Sequence, residues 1–530
     1  MADLSNVAPL TLPWTEDVWG GLRPPVSVEA AQLSAELAEA TYSMDIERWL
    51  RAGWRDATIL LDGELTPIRR NEGWLVKHLR ERRVHARLHQ HGTLGEVLGT
   101  LRQVGESDTC KALVMMHPAP DNRWIVAVSF MGTGARLYDW VSNFRMTSQD
   151  GVHRGFLQLT RQFERCETRI AFPDTARELG LKGLTLRQVL AEMQHPNSRF
   201  TLWLTGHSQG GALMQVYAHR KMRGDKVLGR NIVGYGFASP SVMTGTAVGS
   251  PAAYPLYHIQ NSDDVVPRCG AQVHLGVCLT YPADEDLRQR CYNWPEDTLS
   301  VRARACAMPI LNRMTDTAAC IESAVACLNV ISKGTAADVW NMLGLSGSFP
   351  LGRMVASADV DGMLRSVRRH LAMAYQSITG HPLDQERVAE FMAEIRGAAR
   401  QVGLRAFGAA LRQWMGAAHS ISSELPGGRV GTYHYIVADG MERLIPSCWL
   451  AGDPPIRLLA SCREMQALMG QAEIPILVVR RREKTAKRIH HGLRYRDPRP
   501  RTDTRHRPVM AERGTIRVGE KLLRTKEQKT

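Results

Sequence analysis

The tightest constraint on this chain is a serine set between two glycines at the end of a short apolar run, Gly206-His207-Ser208-Gln209-Gly210. A serine at the apex of a strand-to-helix turn is driven toward positive φ, and a Cβ two residues to either side would crowd it. The G-x-S-x-G spacing therefore suits a nucleophile elbow. The flanks agree: Phe200 to Leu204 is a β-prone apolar run, and Ala212 to Met222 has helical composition without Gly or Pro. A glycine-rich loop with an incidental serine would not need a strand before it and a helix after it.

A serine that attacks an acyl carbon needs N–H groups aimed at the oxyanion that develops. A second apolar run, Ile125 to Phe130, leads straight into Met131-Gly132-Thr133-Gly134, where Thr133 offers both an N–H and a hydroxyl. Gln209, directly after the serine at the start of the following helix, offers a second N–H. The bland alternative for Gly132 to Gly134 is a plain turn closing a core strand.

Five segments in order resemble the class 3 lipase family, the fungal triglyceride-lipase type of α/β-hydrolase. They are IVAVSFMGTGARLYDW from Ile125, GVHRGF from Gly151, LTGHSQGGAL from Leu204, YGFASPSV from Tyr235 and HIQNSDDVVPR from His258. Met131 stands where the family often has a basic residue, Gln209 where leucine is usual, and Ala238-Ser239-Pro240 where Gly-x-Pro is common. The resemblance implies an α/β-hydrolase fold and serine carboxylester hydrolysis, most naturally of acyl lipids.

The resemblance also implies the acid. The family pattern Asp-x-Val-Pro falls in register on Asp264, after the apolar run Pro255 to Gln260, with the adjacent Asp263 as fallback. Such an acid orients the imidazole and stabilises the imidazolium without taking the proton itself.

In α/β-hydrolase order the histidine follows the acid, and the choices are His274, His370, His381, His419, His434, His490, His491 and His506. His274 lies in Ala271 to Thr280, which resembles the family strand after the acid, and reads as structural. His370 in RRHLAMAYQSI is followed by apolar residues and a tyrosine, similar to the family's catalytic-histidine segment, and ranks first. His434 in GTYHYIV, an alternating run before an Asp439-Gly440 turn, ranks second, and the tail histidines last. His207 reads as a packing residue beside the nucleophile. The expected triad is Ser208, Asp264 and His370, with Thr133 and Gln209 as oxyanion donors.

No cofactor or metal is expected, since the chain has no HExxH or Walker loop, and Gly132-Thr133-Gly134 lacks the third glycine of a dinucleotide fingerprint. With 530 residues, 44% of them apolar, the core can support one large α/β domain with additions. The apolar stretch Ala318 to Ser332 contains Glu322 and is shorter than the roughly 18 residues of a membrane span. Met1 to Gly20 has three acids, no basic residue and no apolar core of a signal peptide, so a cytoplasmic protein is expected, with export only by a signal-independent route. The ten cysteines include six between Cys269 and Cys327 and no C-x-x-C pair. In a reducing compartment they read as small buried apolar residues, and in an exported protein disulfides within that cluster become an option.

The expected organisation is an α/β-hydrolase core with an N-terminal helix over 1–283, a mainly helical insertion or cap over 284–426 carrying His370, a hairpin and closing helix or strand over 427–479, and a flexible basic tail over 480–530. The helix is Val26 to Leu50, and in the family such a helix packs on the sheet. Ala57 to Ile68, Lys111 to Pro118 and Ile474 to Val479 read as strands. The tail holds eighteen basic and six acidic residues, twelve of the fourteen net positive charges, so the body is nearly neutral. An anionic phospholipid surface is one partner for it; nucleic acid is the rival and weaker one, and a solvated tail without a partner stays open. Leu137, Trp140 and Phe144 recur at helical spacing where the family places a lid, or they are simply core. A catalytically incomplete α/β-hydrolase-like binding or signalling module remains the alternative function.

Overall fold

Strand β4, Arg123–Phe130, sends Trp124, Val126, Val128 and Phe130 into one apolar layer and Ile125 and Ala127 into the other. Side chains alternate across a strand, so a run that is apolar at every position must be covered on both faces. This is a computed structural model of the protein. The residues described are 28–43, 46–61, 63–68, 109–132, 151–244, 254–292, 297–314, 316–331, 360–425 and 428–446, together with 478–479, 510–511 and 515–517.

The central sheet has nine strands: β1 Arg55–Leu61, β2 Glu64–Ile68, β3 Ala112–Ala119, β4, β5 Phe200–His207, β6 Ile232–Phe237, β7 Leu256–Asn261, β8 Val277–Tyr281 and β9 Ile445–Pro446. Their order is β2-β1-β3-β4-β5-β6-β7-β8-β9. β4 through β8 run parallel, the first four strands pair antiparallel, and β9 closes the far edge antiparallel to β8. With helices on both faces, this is an α/β-hydrolase architecture carrying a mainly helical C-terminal part.

One layer contains helices Arg154–Glu164, Leu186–Glu192 and Gln209–Arg223. The last is the crossover that two parallel strands require, here between β5 and β6. The opposite layer begins with helix Val28–Ser43. Ala30, Ala31, Ala35 and Ala38 are wholly buried, and small side chains let the helix approach the sheet closely. Trp203 Nε1 donates to Ser34 Oγ at 2.9 Å, Thr205 Oγ1 to Ser34 O at 3.0 Å and Ser129 Oγ to Leu37 O at 3.2 Å. These bonds give the polar atoms of β4 and β5 partners on the buried face.

Helices Thr298–Arg313, Thr317–Ile331, Val360–Thr379, Gln385–Val402 and Leu404–Ala418 extend this second layer. The apolar stretch from Ala318 lies in the helix Thr317–Ile331, and no described helix is long and apolar enough to cross a membrane. Its Glu322 is fully buried, accepts the Tyr375 hydroxyl at 2.8 Å and pairs with Arg387 Nε at 3.0 Å. In the described part of the expected hairpin over Gly427 to Leu450, residues 432–443 are helical instead. Helix Thr432–Tyr435 runs into a wide helical turn, Ile436–Gly440, because Gly440 lies against the Tyr281 ring, 2.6 Å from where its Cβ would stand. Within the basic tail, Met510–Ala511 and Thr515–Arg517 are strands, and the latter also pairs with Val478–Val479. The remainder of the tail, Thr133, and the stripe Leu137, Trp140 and Phe144 lie outside the described residues.

The glycines of the elbow are packing residues. A Cβ on Gly206 would stand 2.4 Å from the Gly210 carbonyl carbon, and one on Gly210 would stand 2.0 Å from Phe130 O. The clash that excludes a side chain is thus with the backbone of the following helix and of β4, rather than with the serine. Ala238 adopts φ +51° where the family commonly has glycine, a left-handed conformation costing about 1 kcal/mol for a residue with a Cβ. Gly210→Ala is expected to lose about 2 kcal/mol or more in urea unfolding, although alanine is the better helix former. Ala238→Gly is expected to be neutral or to gain up to about 1 kcal/mol, and a loss there would contradict the strain argument.

Candidate active site

Ser208 sits between β5 and helix Gln209–Arg223 at φ +58° and ψ −130°. A non-glycine residue holds this conformation only when its surroundings over-determine it. Here its N–H donates to Phe237 O at 2.9 Å, and its carbonyl accepts the Gly211 and Ala212 amides at 2.9 and 3.3 Å. Gly132, at the end of β4, is packed directly against the turn: a Cβ on it would stand 3.1 Å from Ser208 Cβ and 2.5 Å from His207 O. The end of β4 is therefore packed beside Ser208, and Gln209 is the first residue of the helix. Ser208 is buried, at 6% exposure.

Asp264 follows β7 and is 1% exposed. Its Oδ1 accepts the Val266 amide at 2.9 Å, and its Oδ2 accepts His419 Nδ1–H and the Tyr433 hydroxyl, each at 2.8 Å. Asp263 points elsewhere, forming a two-toothed pair with Arg288 at 2.9 and 3.1 Å and accepting the Tyr292 hydroxyl at 3.3 Å. The two adjacent acids thus divide: one meets an imidazole, and the other fastens helix Glu285–Cys291 to the end of β7.

The imidazole that the structure brings to Asp264 is His419, not His370. His370 falls on helix Val360–Thr379, and its side chain is outside the described residues. The tyrosine that made its segment resemble the family, Tyr375, is occupied with Glu322 in the helical layer. His434, ranked second, pairs with Glu39 Oε2 at 3.0 Å, linking the N-terminal helix to helix Thr432–Tyr435. His274 donates to Ser239 O at 2.8 Å and serves the turn before β8.

His419 is placed by its chain as much as by its side chain. It caps helix Leu404–Ala418, its N–H donating to Met415 O at 3.1 Å. Asn261, the last residue of β7, donates from Nδ2 to Ala418 O at 3.0 Å and from its backbone to the Tyr433 hydroxyl at 3.2 Å. His207, the residue before Ser208, donates from Nε2 to His419 O at 2.8 Å, and its ring lies 4.4 Å from that of His419. On its other side His207 Nδ1 accepts the Tyr42 hydroxyl at 3.0 Å. Burial first, and then the neighbouring His419, hold His207 well below the usual histidine range, so it stays neutral and keeps one donor and one acceptor. It is a packing residue, as read, and also a brace between elbow and imidazole.

Nothing in the sequence marked His419 except its position just past an amphipathic helix. The residues that hold it, Asn261, Tyr433 and His207, come from 207 to 433 in the chain. No cluster of histidine, cysteine and acid suited to a metal occurs among the described residues.

The described site lies on an α/β-hydrolase sheet, with a serine elbow after β5 and an acid after β7. The class 3 lipase family model matches residues 127–274 of the chain. The matched region ends at His274 and does not reach His419. Among solved structures, lipase II from Rhizopus niveus is similar at 18% identity, covering 32% of this chain and 61% of its own, with a TM-score of 0.23. The triacylglyceride lipase of Rhizomucor miehei gives 19%, 32%, 61% and 0.22, and the lipase of Rhizopus microsporus var. chinensis 18%, 39%, 75% and 0.24. The chain thus spans about three fifths of the first of these relatives. No curated protein matches it.

Two further histidines beneath the site set an acid limit. Burial pushes His258 down to about 3 and His274 down to about 4, the His274 charge adding to the shift for His258. Both are neutral in the folded protein, while the unfolded chain takes up their protons below about pH 6.5. Stability is therefore complete above that pH and is lost as pH falls toward about 4. The unfolding midpoint followed by circular dichroism is expected to drop across this window, and His274→Gln should flatten part of the drop.

Proposed function

We propose that the chain is a serine carboxylester hydrolase that cleaves acyl esters, lipid or phospholipid, through an acyl-enzyme. Ser208 is the nucleophile, His419 the base and Asp264 the orienting acid. The observation that carries the reading is the 2.8 Å bond from His419 Nδ1 to a buried Asp264, on an imidazole whose carbonyl is held by the residue preceding the nucleophile. With Nδ1–H committed to the acid, Nε2 is the ring nitrogen that takes the Ser208 proton. The serine oxygen bonds to the acyl carbon, the imidazolium returns the proton to the leaving alcohol as the ester C–O bond breaks, and water releases the acid by the same route. The N–H of Gln209 and the N–H and hydroxyl of Thr133 are the proposed oxyanion donors, a role supported by the packing of Gly132 against Ser208.

Fluorophosphonate labelling is expected to modify Ser208 and to disappear in Ser208→Ala; a folded protein that takes no label would overturn the reading. On a soluble p-nitrophenyl ester, His419→Ala is expected to lower kcat by about 10³-fold or more, whereas His370→Ala should leave it within a few-fold. The reverse pattern would return the base to His370. Tyr433→Phe removes one of two hydrogen bonds on Asp264 Oδ2 and is expected to cost about tenfold in kcat/KM.

The basic tail is proposed to hold the enzyme on anionic lipid surfaces. Removing residues 480–530 should weaken turnover of substrate in anionic vesicles, more so at low salt, while hydrolysis of the soluble ester persists.

A further inference from the structure

The turn after Asp264 is stapled to the helical layer. Arg268 Nη1 donates to Met314 O at 2.6 Å, and Thr317 Oγ1 donates to Arg268 O and, at 3.5 Å, to Ala271 O. Cys269 lies between those two anchored carbonyls. Cys320 is three residues beyond Thr317 in helix Thr317–Ile331, which places it on the same side of that helix. Cys320 is thereby brought to Cys269, the neighbour that acts most strongly on its thiol, and the Cys269 S–H itself donates to Val265 O at 3.4 Å, one residue past the acid. Both belong to one apolar cluster.

Other cysteines face groups that are not thiols. Cys166 lies against Gln162 O and Arg169, Cys306 against Gln401, Cys278 against Gln260 and Cys291 against Thr432.

We propose that Cys269 and Cys320 form a disulfide when the protein folds in the presence of a disulfide oxidant, covalently tying the acid-bearing turn to the helical layer. The oxidant is a small-molecule disulfide such as oxidised glutathione, or a protein of that chemical class. One cysteine thiolate attacks the oxidant, giving a mixed disulfide and one released thiol. The second cysteine then attacks the mixed disulfide, so that the protein S–S bond forms and a second thiol leaves. The two protein protons end on the two released thiols, and the oxidant's disulfide is reduced. The Cys269 thiol, and then burial, hold Cys320 above the ordinary thiol range, so its reactive thiolate is scarce in the folded protein. Both cysteines are also buried, out of reach of an oxidant once the protein is folded, so the bond forms as the chain folds rather than afterwards. The proposal stands on this packing alone and does not need the hydrolase reading.

The test uses the full chain, unfolded in reductant and refolded in a buffer of reduced and oxidised glutathione. Remaining thiols are alkylated, and the digest is mapped by mass spectrometry without reduction. The expected result is a cross-linked peptide pair containing Cys269 and Cys320 that separates on reduction. The thermal midpoint of the oxidised protein should exceed that of the reduced protein by on the order of 5 °C. In the double variant Cys269→Ala, Cys320→Ala the two midpoints should coincide. Refolded protein with both residues alkylated, or with either one bridged to a different cysteine, would overturn the proposal. The peptide map of the parent chain decides this even if the double variant fails to fold.

Discussion

The buried carboxylate of Asp264 is the constraint around which the rest of the site is arranged. Taking an ionised carboxylate out of water is costly unless hydrogen bonds replace its hydration. The structure supplies three, from the Val266 amide, the His419 ring and the Tyr433 hydroxyl. Each donor comes from a different part of the chain: the turn after β7, the end of helix Leu404–Ala418, and the start of helix Thr432–Tyr435. Satisfying one acid thus draws the C-terminal region onto the sheet. Asn261 reinforces the same convergence by bonding both the Ala418 carbonyl and the Tyr433 hydroxyl.

The serine side is held by close contact rather than by charge. Gly132, Gly206 and Gly210 bring the end of β4, the end of β5 and the first turn of the following helix so near that no Cβ fits between them. Further along, Lys221 is buried with Glu167 at 2.7 Å and Asp225 at 2.6 Å, and the Tyr217 hydroxyl donates to Glu167 at 2.9 Å. The elbow helix is therefore pinned at both ends. That rigidity is what keeps Ser208 at a positive φ, since an unsupported turn would relax. His207 joins the two halves, because its neutral ring donates to the chain of His419 and accepts from Tyr42 of the N-terminal helix.

Local pattern made the elbow, its flanking strand and helix, and the strand leading to Gly132 legible, because each has a short-range physical signature. Asp264 was legible only through a family resemblance in its Val-Pro surroundings. The helical character of the C-terminal part was legible in composition, but Gly427 to Leu450 was not. Its alternating apolar residues suit a strand, whereas packing of Gly440 on Tyr281 and of Tyr433 on Asp264 holds it as helix and wide turn. The His370 segment had the right order of residue types, and the pairing of Tyr375 with Glu322 shows why order was insufficient.

The sequence by itself determined that a serine would stand on a glycine-framed turn between a strand and a helix, because steric demands on φ act within a few residues. It also determined that a core strand must be covered on both faces, because apolar periodicity is local. Which imidazole meets the acid was decided only by the tertiary structure. His419 lies 155 residues from Asp264, and nothing in the residues between them encodes the distance. That choice came from how the helical layer packs and from a buried carboxylate that must find donors.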